Sequence, residues 1–574
     1  MTYDRGVTYD LGVTYDLVLV CTPYLSFAVC TPRPITIRID HRSHHTLRNL
    51  TPQVERLKYS IQMIGNTLWM QGEKAGVQPM ESEHGALLFN GDIFDKNWNP
   101  NICDTEDIFK KLNPEKIVVN ILKTLNGPFS LIFWDKETNY LYFCRDRFGR
   151  KSLILYKNNS ELILSSVLGK KEYKGAVELP TGNIFCLDLE KNLIKVISWT
   201  EDSSEDLFIP IEDWLLTINT DVQNYSLTPS CINDEVKIIA LFDLELNFLA
   251  RIEKLSDEIP CRIEFLKTLL SEDIISAKVK RLIDLLSESV RVRVQTQPGL
   301  CKDCISKPSK CDGHCTVGIL FSGGLDCTIL AALAHLHVPI NDSIDLLNVA
   351  FQHRNCEDYQ VPDRLTSLQS LDELKRLFPK RKWNLVEVNV SKQKLKEKQA
   401  EIIGDLVFPL QSILDESLGS ALWFAARGET PLYKSTSRVI LMGMGADELF
   451  GGYTRHRNSF RRGGWGALER ELQMDWQRIP YRNLARDDRV VSHHGRQPRM
   501  PYLDENFLEY VQICYLHAKC GPGTGDKMLL RLAALKLELE CASTFPKRAI
   551  QFGSKIANKK DNAKDISQRL TEIL

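Results

Sequence analysis

The chain has no excess of charge of either sign. Lys and Arg number 73 and Asp and Glu 74 in 574 residues, for a net charge of -1. That argues against a nucleic-acid or acidic-membrane binder driven by overall charge. Long hydrophobic runs are also missing, so no segment is expected to span a bilayer. Leu17-Val-Leu-Val-Cys21 is apolar but short, and no positively charged stretch precedes it, which speaks against a signal peptide. Sixteen cysteines without a secretory signal are expected as reduced thiols, hence a cytoplasmic protein. The length suggests about two to four domains.

Composition shifts divide the chain. Residues 1–40 carry a short repeat, Gly6-Val-Thr-Tyr-Asp-Leu11 followed by Gly12-Val-Thr-Tyr-Asp-Leu17, and read as an atypical tail. Residues 41–199 hold short apolar runs bounded by turn residues, such as Ala86–Gly91, Phe129–Asp135, Tyr140–Cys144 and Gly182–Leu187, so a sheet-based α+β domain is predicted. Residues 200–271 read as a connector or insertion. From 272 to 560 helical and strand patterns alternate, which predicts a doubly wound parallel α/β domain. Residues 561–574 read as a charged tail that frays.

Within the second domain, Val317-Gly-Ile-Leu-Phe321 reads as a buried strand, Ser322-Gly323-Gly324 as a sharp turn, and the stretch from Cys327 as a helix whose N-terminus faces the turn. Free N–H groups and the helix dipole make such a turn an anion site. Asp326 at its edge is placed to hold Mg²⁺. No Gly-Lys-Ser/Thr follows, so this is not a Walker A loop. It resembles the pyrophosphate loop of ATP pyrophosphatases; the plain alternative is an ordinary strand-turn-helix.

A second such segment, Arg438-Val-Ile-Leu-Met-Gly-Met-Gly-Ala-Asp-Glu-Leu-Phe-Gly-Gly-Tyr453, repeats strand, glycine turn and acidic pair. With Arg486-Asp-Asp-Arg489, Arg499-Met-Pro-Tyr-Leu-Asp504 and Lys527-Met-Leu-Leu-Arg-Leu-Ala533, it makes the chain resemble the asparagine synthetase family over about three quarters of its length. The resemblance implies an N-terminal-nucleophile amidotransferase-like α+β sandwich followed by the ATP-pyrophosphatase domain. It implies ATP and Mg²⁺, with Leu320, Ser322, Gly323, Gly324, Asp326, Ala350, Met442 and Gly443 around the nucleotide. Asp326 and Asp447 would hold the metal, Glu448 would support them, and Lys527 would neutralise phosphate charge. A solvated helix lysine is the plain alternative for Lys527. Met444 stands where the family carries a glutamate base, and methionine cannot accept a proton. Arg486–Arg489 and Arg499 would contact the amino acid or Mg²⁺, or else form a surface ion-pair network.

The family's first domain hydrolyses glutamine with a cysteine that follows the initiator methionine and carries a free α-amine. This chain begins Met1-Thr2-Tyr3, and Cys21 and Cys30 are internal. Asn90, Gly91, Asp92 and Asp104 match the family's glutamine site as remnants, although Asn90-Gly91 also suits a hairpin turn. The glutaminase half is therefore expected to be inactive and free ammonia to be the nitrogen donor.

Just before the first loop, Cys301-Lys-Asp-Cys304 and Cys311-Asp-Gly-His-Cys315 have the spacing of a structural zinc knuckle, with Cys301, Cys304, Cys311 and Cys315 as ligands. Free thiols in a loop are the alternative.

The expected activity is an ATP-dependent amide ligase that makes asparagine from aspartate through β-aspartyl-AMP. Its ligands would be ATP, aspartate and ammonia or glutamine, with no nucleic acid or membrane; a homodimer stays open. The rival reading is a nucleotide-binding pseudoenzyme that serves as an interaction module. A different ATP pyrophosphatase, such as a thiolation or lactam-forming enzyme, is disfavoured by Arg499–Asp504 and by the glutaminase-like half.

Overall fold

The computed structural model describes residues 7–9, 35–41, 59–94, 101–112, 117–199, 207–221, 252, 254–255, 258–259, 261–305, 314–353, 358–514, 520, 526–557, 565–567 and 570. Two sheets build the first domain. Their strands are β1 (Val7–Tyr9), β2 (Ile35–His41), β3 (Tyr59–Gly65), β4 (Met80–Glu81), β5 (Gly85–Gly91), β6 (Phe129–Asp135), β7 (Tyr140–Arg145), β8 (Ile154–Lys157), β9 (Glu161–Ser165), β10 (Val177–Glu178), β11 (Asn183–Asp188), β12 (Leu193–Ser198) and β13 (Ile209–Pro210). One sheet runs β1-β3-β2-β9-β8-β10 and the other β13-β12-β11-β7-β6-β5-β4, with antiparallel neighbours throughout.

Alternation along β5 explains the layering. Ala86 and Leu88 point into the core between the sheets, with Met63, Leu164 and Phe185. Leu87 and Phe89 point the other way, onto α1 (Asp104–Lys111) and α2 (Val118–Thr124), through Ile108 and Leu122. A strand buried on both faces must be apolar at every position, which is why β5 and β6 read as continuous runs.

Parts of the segments expected as tail and connector form regular structure. Residues 7–9 and 35–41 are strands, and the β-branched alternation Ile35-Thr-Ile-Arg-Ile39 accounts for the second. Helix α3 (Ile211–Asp221) buries Ile211, Trp214 and Ile218 against the first domain, so it is no linker. Helix α4 (Arg262–Leu270) buries Phe265, Leu266 and Leu269 in the second domain's core. Within residues 561–574, Ser567 N–H donates to Gln411 O at 2.8 Å and Leu570 is buried, so the described part of that segment is docked rather than frayed.

The second domain is a parallel sheet of β14 (Val317–Leu320), β15 (Ile344–Phe351), β16 (Trp383–Val390), β17 (Val439–Leu441) and β18 (Gln497–Arg499), in the order β16-β15-β14-β17-β18. Around it pack, among others, α5 (Asp273–Gln295), α6 (Leu325–His337), α7 (Pro362–Leu377) and α8 (Ile413–Arg427). The chain moves outward from β14 to β16, then returns to the other side of β14 as β17. That reversal makes the gap between β14 and β17 the topological switch point, where open α/β sheets bind ligands beyond the strands' carboxyl ends. Among the described residues no helix is long and apolar enough to cross a membrane.

Ion pairs join the domains: the buried pairs Lys151–Asp488 at 2.7 Å, Arg489–Glu178 at 2.6 Å and Arg499–Asp92 at 3.1 Å, and Arg150 with the half-buried Glu505 at 2.5 Å.

Candidate active site

Two glycine turns close the switch point. After β14, Gly323 takes φ +74°, and a Cβ there would sit 2.4 Å from Ser367 N, so only glycine fits the turn against α7. Its carbonyl accepts from Ser370 Oγ at 2.7 Å. Gly324 is the N-cap of α6, with no side-chain cap, so the first-turn N–H groups face the cavity unsatisfied by a side chain. After β17, Gly445 takes φ +93° against Leu503 and starts the short helix α9 (Ala446–Phe450).

Each turn delivers one carboxylate, and a single lysine ties them. Lys527 Nζ lies 2.6 Å from Asp326 Oδ2 and 2.7 Å from Asp447 Oδ1, and the lysine is buried. A solvated helix lysine is thus ruled out. Lys527 holds φ +62°, a conformation that costs a non-glycine residue on the order of 1 kcal/mol and more, and it caps helix α10 (Met528–Lys536). Lys547 approaches the other oxygen of Asp447 at 2.5 Å. Burial alone would raise the Asp447 pKa, but the two ammonium groups outweigh it and hold the carboxyl well below the usual range. Gly452 packs against this knot: a Cβ there would lie 1.7 Å from Asp447 Oδ1. Asp326 Oδ1 is buried without a hydrogen-bond partner.

These residues line a cavity of about 630 Å³. Leu320, Ser322, Gly324, Asp326, Met442, Gly443, Asp447, Glu448 and Lys527 all face it. Ala350 does not. Ala350 is buried elsewhere, whereas Leu347, Asn348 and Val349 of the same strand reach the cavity. Gly323 shapes the turn from behind, packed on Ser367, and is not a lining residue.

Met444 lines the same cavity, and so does a carboxyl that can handle protons. Burial, then the nearby negative charge of Asp447, pushes Glu448 up to about 7. Its Oε1 accepts from the Tyr453 hydroxyl at 2.7 Å and from Asn483 Nδ2 at 3.4 Å. Sequence reasoning did not assign Lys547 or Asp363 a role. Asp363 is pushed to about 7 by burial, against the opposing pull of Arg548 and Lys547, and Gly553 leaves it room. The basic pair Lys547-Arg548 was the available signal, but only the fold returns it to the loops.

The glutamine amidotransferase domain family matches residues 66–170, and the asparagine synthase family matches residues 309–465 and 460–540. An asparagine synthetase domain-containing protein of Drosophila melanogaster is 37% identical over 88% of this chain and 91% of its own length. The chain belongs to the asparagine synthetase family. Asparagine synthetase domain-containing protein 1 of Homo sapiens is 34% identical over 84% of this chain and 85% of its own, and a Saccharomyces cerevisiae member is 28% identical over 85% and 82%.

Within this family member the amidotransferase half shows what became of the expected glutamine remnants. Asn90 and Gly91 are the last residues of β5, paired with Ser130 and Phe129, so they form no hairpin turn. Asp104 begins α1 and accepts from Thr105 N at 2.8 Å. Asp92 is fully buried, with Arg499 of the other domain at both carboxylate oxygens. Asp488, Arg489 and Arg499 are therefore neither cavity residues nor a surface network; they hold the domains together. Arg486 and Asp487 do line the cavity, paired with each other at 2.7 Å.

The cysteine expectation changes as well. Cys301, Cys304 and His314 place their ligand atoms within 4.8 Å of one another. Cys315 points elsewhere: its Sγ donates to Val317 O at 3.0 Å as the chain enters β14. Cys311 lies outside the described residues.

Proposed function

We propose that this protein is an ATP-dependent amide ligase of the asparagine synthetase type. The aspartate side-chain carboxylate attacks the α-phosphate of ATP, pyrophosphate leaves, and ammonia then displaces AMP from β-aspartyl-AMP to give asparagine. The observation that carries this reading is the pair Asp326 and Asp447, delivered by two glycine turns at the switch point and bridged by the buried Lys527.

Two carboxylates and two ammonium groups balance in charge. Mg-ATP can therefore enter by exchange of like for like, phosphate oxygens taking the lysines and the metal taking the carboxylates. Asp326, with its orphaned Oδ1, and Asp447 form a hard oxygen donor set that fits Mg²⁺. When bound, the ion would neutralise charge on the phosphates. The Ser322–Gly324 turn and the α6 N-terminus would receive the pyrophosphate end, with Leu320, Val349, Met442 and Gly443 beside the adenosine. Lys527 and Lys547 supply the remaining counter-charge as pyrophosphate departs. Glu448, poised near neutrality, takes the place of a base at Met444 and accepts a proton from the attacking ammonia.

Met444 in the cavity favours the second reading, a pseudoenzyme that binds nucleotide as a ligand. Incubation of the purified chain with Mg-ATP, aspartate and ammonium separates the two. Asparagine and pyrophosphate, both lost in Asp326→Ala, support the ligase; ATP binding without either product supports the pseudoenzyme.

A further inference from the structure

Between 8 and 21 residues before Ser322, the chain carries a second cluster that the ligase reading does not use. Cys301 and Cys304 sit on one turn, with Cys304 N–H donating to Cys301 O at 3.3 Å. Ile305 N–H donates to the same carbonyl at 3.2 Å, which closes the turn. Both thiols are buried and neither is in a disulfide. His314 comes back to meet them: its Nδ1 lies 3.4 Å from Cys301 Sγ and 3.3 Å from Cys304 Sγ.

Those distances have a metal-site interpretation. Zn–S bonds of about 2.3 Å and Zn–N bonds of about 2.0–2.1 Å, at the tetrahedral angle, hold nitrogen and sulfur about 3.6 Å apart. The cluster is within a few tenths of an ångström of that on both edges. Two soft thiolates and an imidazole select Zn²⁺ over Mg²⁺ or Ca²⁺.

We propose that Cys301, Cys304 and His314 bind one Zn²⁺ ion that is structural and separate from the nucleotide cavity. The fourth position of the tetrahedron is filled by solvent or by a further side chain, and neither choice alters the test. The role follows from where the knuckle is tied. Lys302 N–H donates to Thr436 O at 2.9 Å, Thr436 Oγ1 donates to Cys315 O at 2.9 Å, and Arg438 N–H donates to Thr316 O at 2.9 Å. The knuckle thus clamps the entries of β14 and β17 side by side. Their far ends carry the turns of Asp326 and Asp447, so the ion fixes the spacing of the two strands from behind.

The test is elemental analysis of the full chain purified under reducing conditions, followed by chelation and titration with Co²⁺. Close to one zinc per chain is expected, and Co²⁺ should give a thiolate-to-cobalt charge-transfer band that saturates near one equivalent. Cys301→Ser and Cys304→Ser should each weaken metal binding at least tenfold, with His314→Ala acting in the same direction. Cys315→Ser should leave the cobalt spectrum unchanged. If a serine variant fails to fold, the wild-type titration decides by itself. Absence of the charge-transfer band in the reduced wild type overturns the proposal, as does a spectrum that survives in the Cys301→Ser, Cys304→Ser double variant. A Cys301–Cys304 disulfide in the reduced preparation also overturns it.

Discussion

Arg499 and Asp92 meet across the domain boundary, with Nη2 3.1 Å from one carboxylate oxygen and Nε 3.4 Å from the other, and neither side chain reaches solvent. Removing one partner takes away the opposite charge that faces the other inside the boundary. Asp92→Leu alone is expected to cost about 3–5 kcal/mol in denaturant unfolding. The Asp92→Leu, Arg499→Met double variant should cost clearly less than the sum of the singles. Additive losses in that cycle would show that the pair is not coupled.

Gly452 gives a sharper test of the carboxylate–lysine knot. A Cβ placed 1.7 Å from Asp447 Oδ1 must displace that carboxylate. Gly452→Ala is expected to weaken Mg-ATP binding by about tenfold or more, a difference of about 1.4 kcal/mol. Calorimetry reads it, with Gly169→Ala as the control because nothing lies near a Cβ there. Equal affinities would mean that Asp447 does not take part in binding.

Lys527 and Lys547 should be unequal. Lys527 touches both carboxylates, whereas Lys547 touches only Asp447. Lys527→Met is expected to lower ATP-dependent pyrophosphate release by about 10²–10³-fold, the range for loss of one charge-stabilising group, and Lys547→Met by less. Nucleotide-dependent turnover rates of the two variants check the order.

Glu448 predicts a pH dependence with a definite sign. Its folded pKa of about 7 lies above the ordinary 4.5, so the folded state holds the proton more tightly than the unfolded state. Below pH 4.5 both states are protonated and the group is neutral in the balance. Between 4.5 and about 7 the folded state loses stability as pH rises, by on the order of 3 kcal/mol in all. Glu448→Gln should remove that slope, so wild type weakens relative to the variant across this window. Parallel unfolding curves for the two proteins from pH 4.5 to 7 would contradict it.

The two glycine turns were legible because their geometry is local. Gly323, Gly324, Asp326 and Asp447 lie within a few residues of the strands that place them, and the glycines announce a backbone that a side chain would block. Lys527 was legible by motif, but its left-handed cap and its double ion pair depend on Phe450 and Asp447, which are distant in sequence. Lys547 and Asp363 were not legible, since the segment that pairs Lys547 with Asp447 returns from 100 residues away. The same limit applies to Asp488, Arg489 and Arg499, whose partners belong to the other domain. Cysteine spacing located the knuckle but chose Cys315 over His314, because spacing does not reveal which way a residue turns on entering a strand.

The most direct test of the ligase account is exchange of labelled pyrophosphate into ATP, with Mg²⁺ present and aspartate added or withheld. The account predicts exchange that requires aspartate and disappears in Asp326→Asn and Lys527→Met, since those residues grip the leaving pyrophosphate. Firm Mg-ATP binding by the wild type with no aspartate-dependent exchange would contradict it.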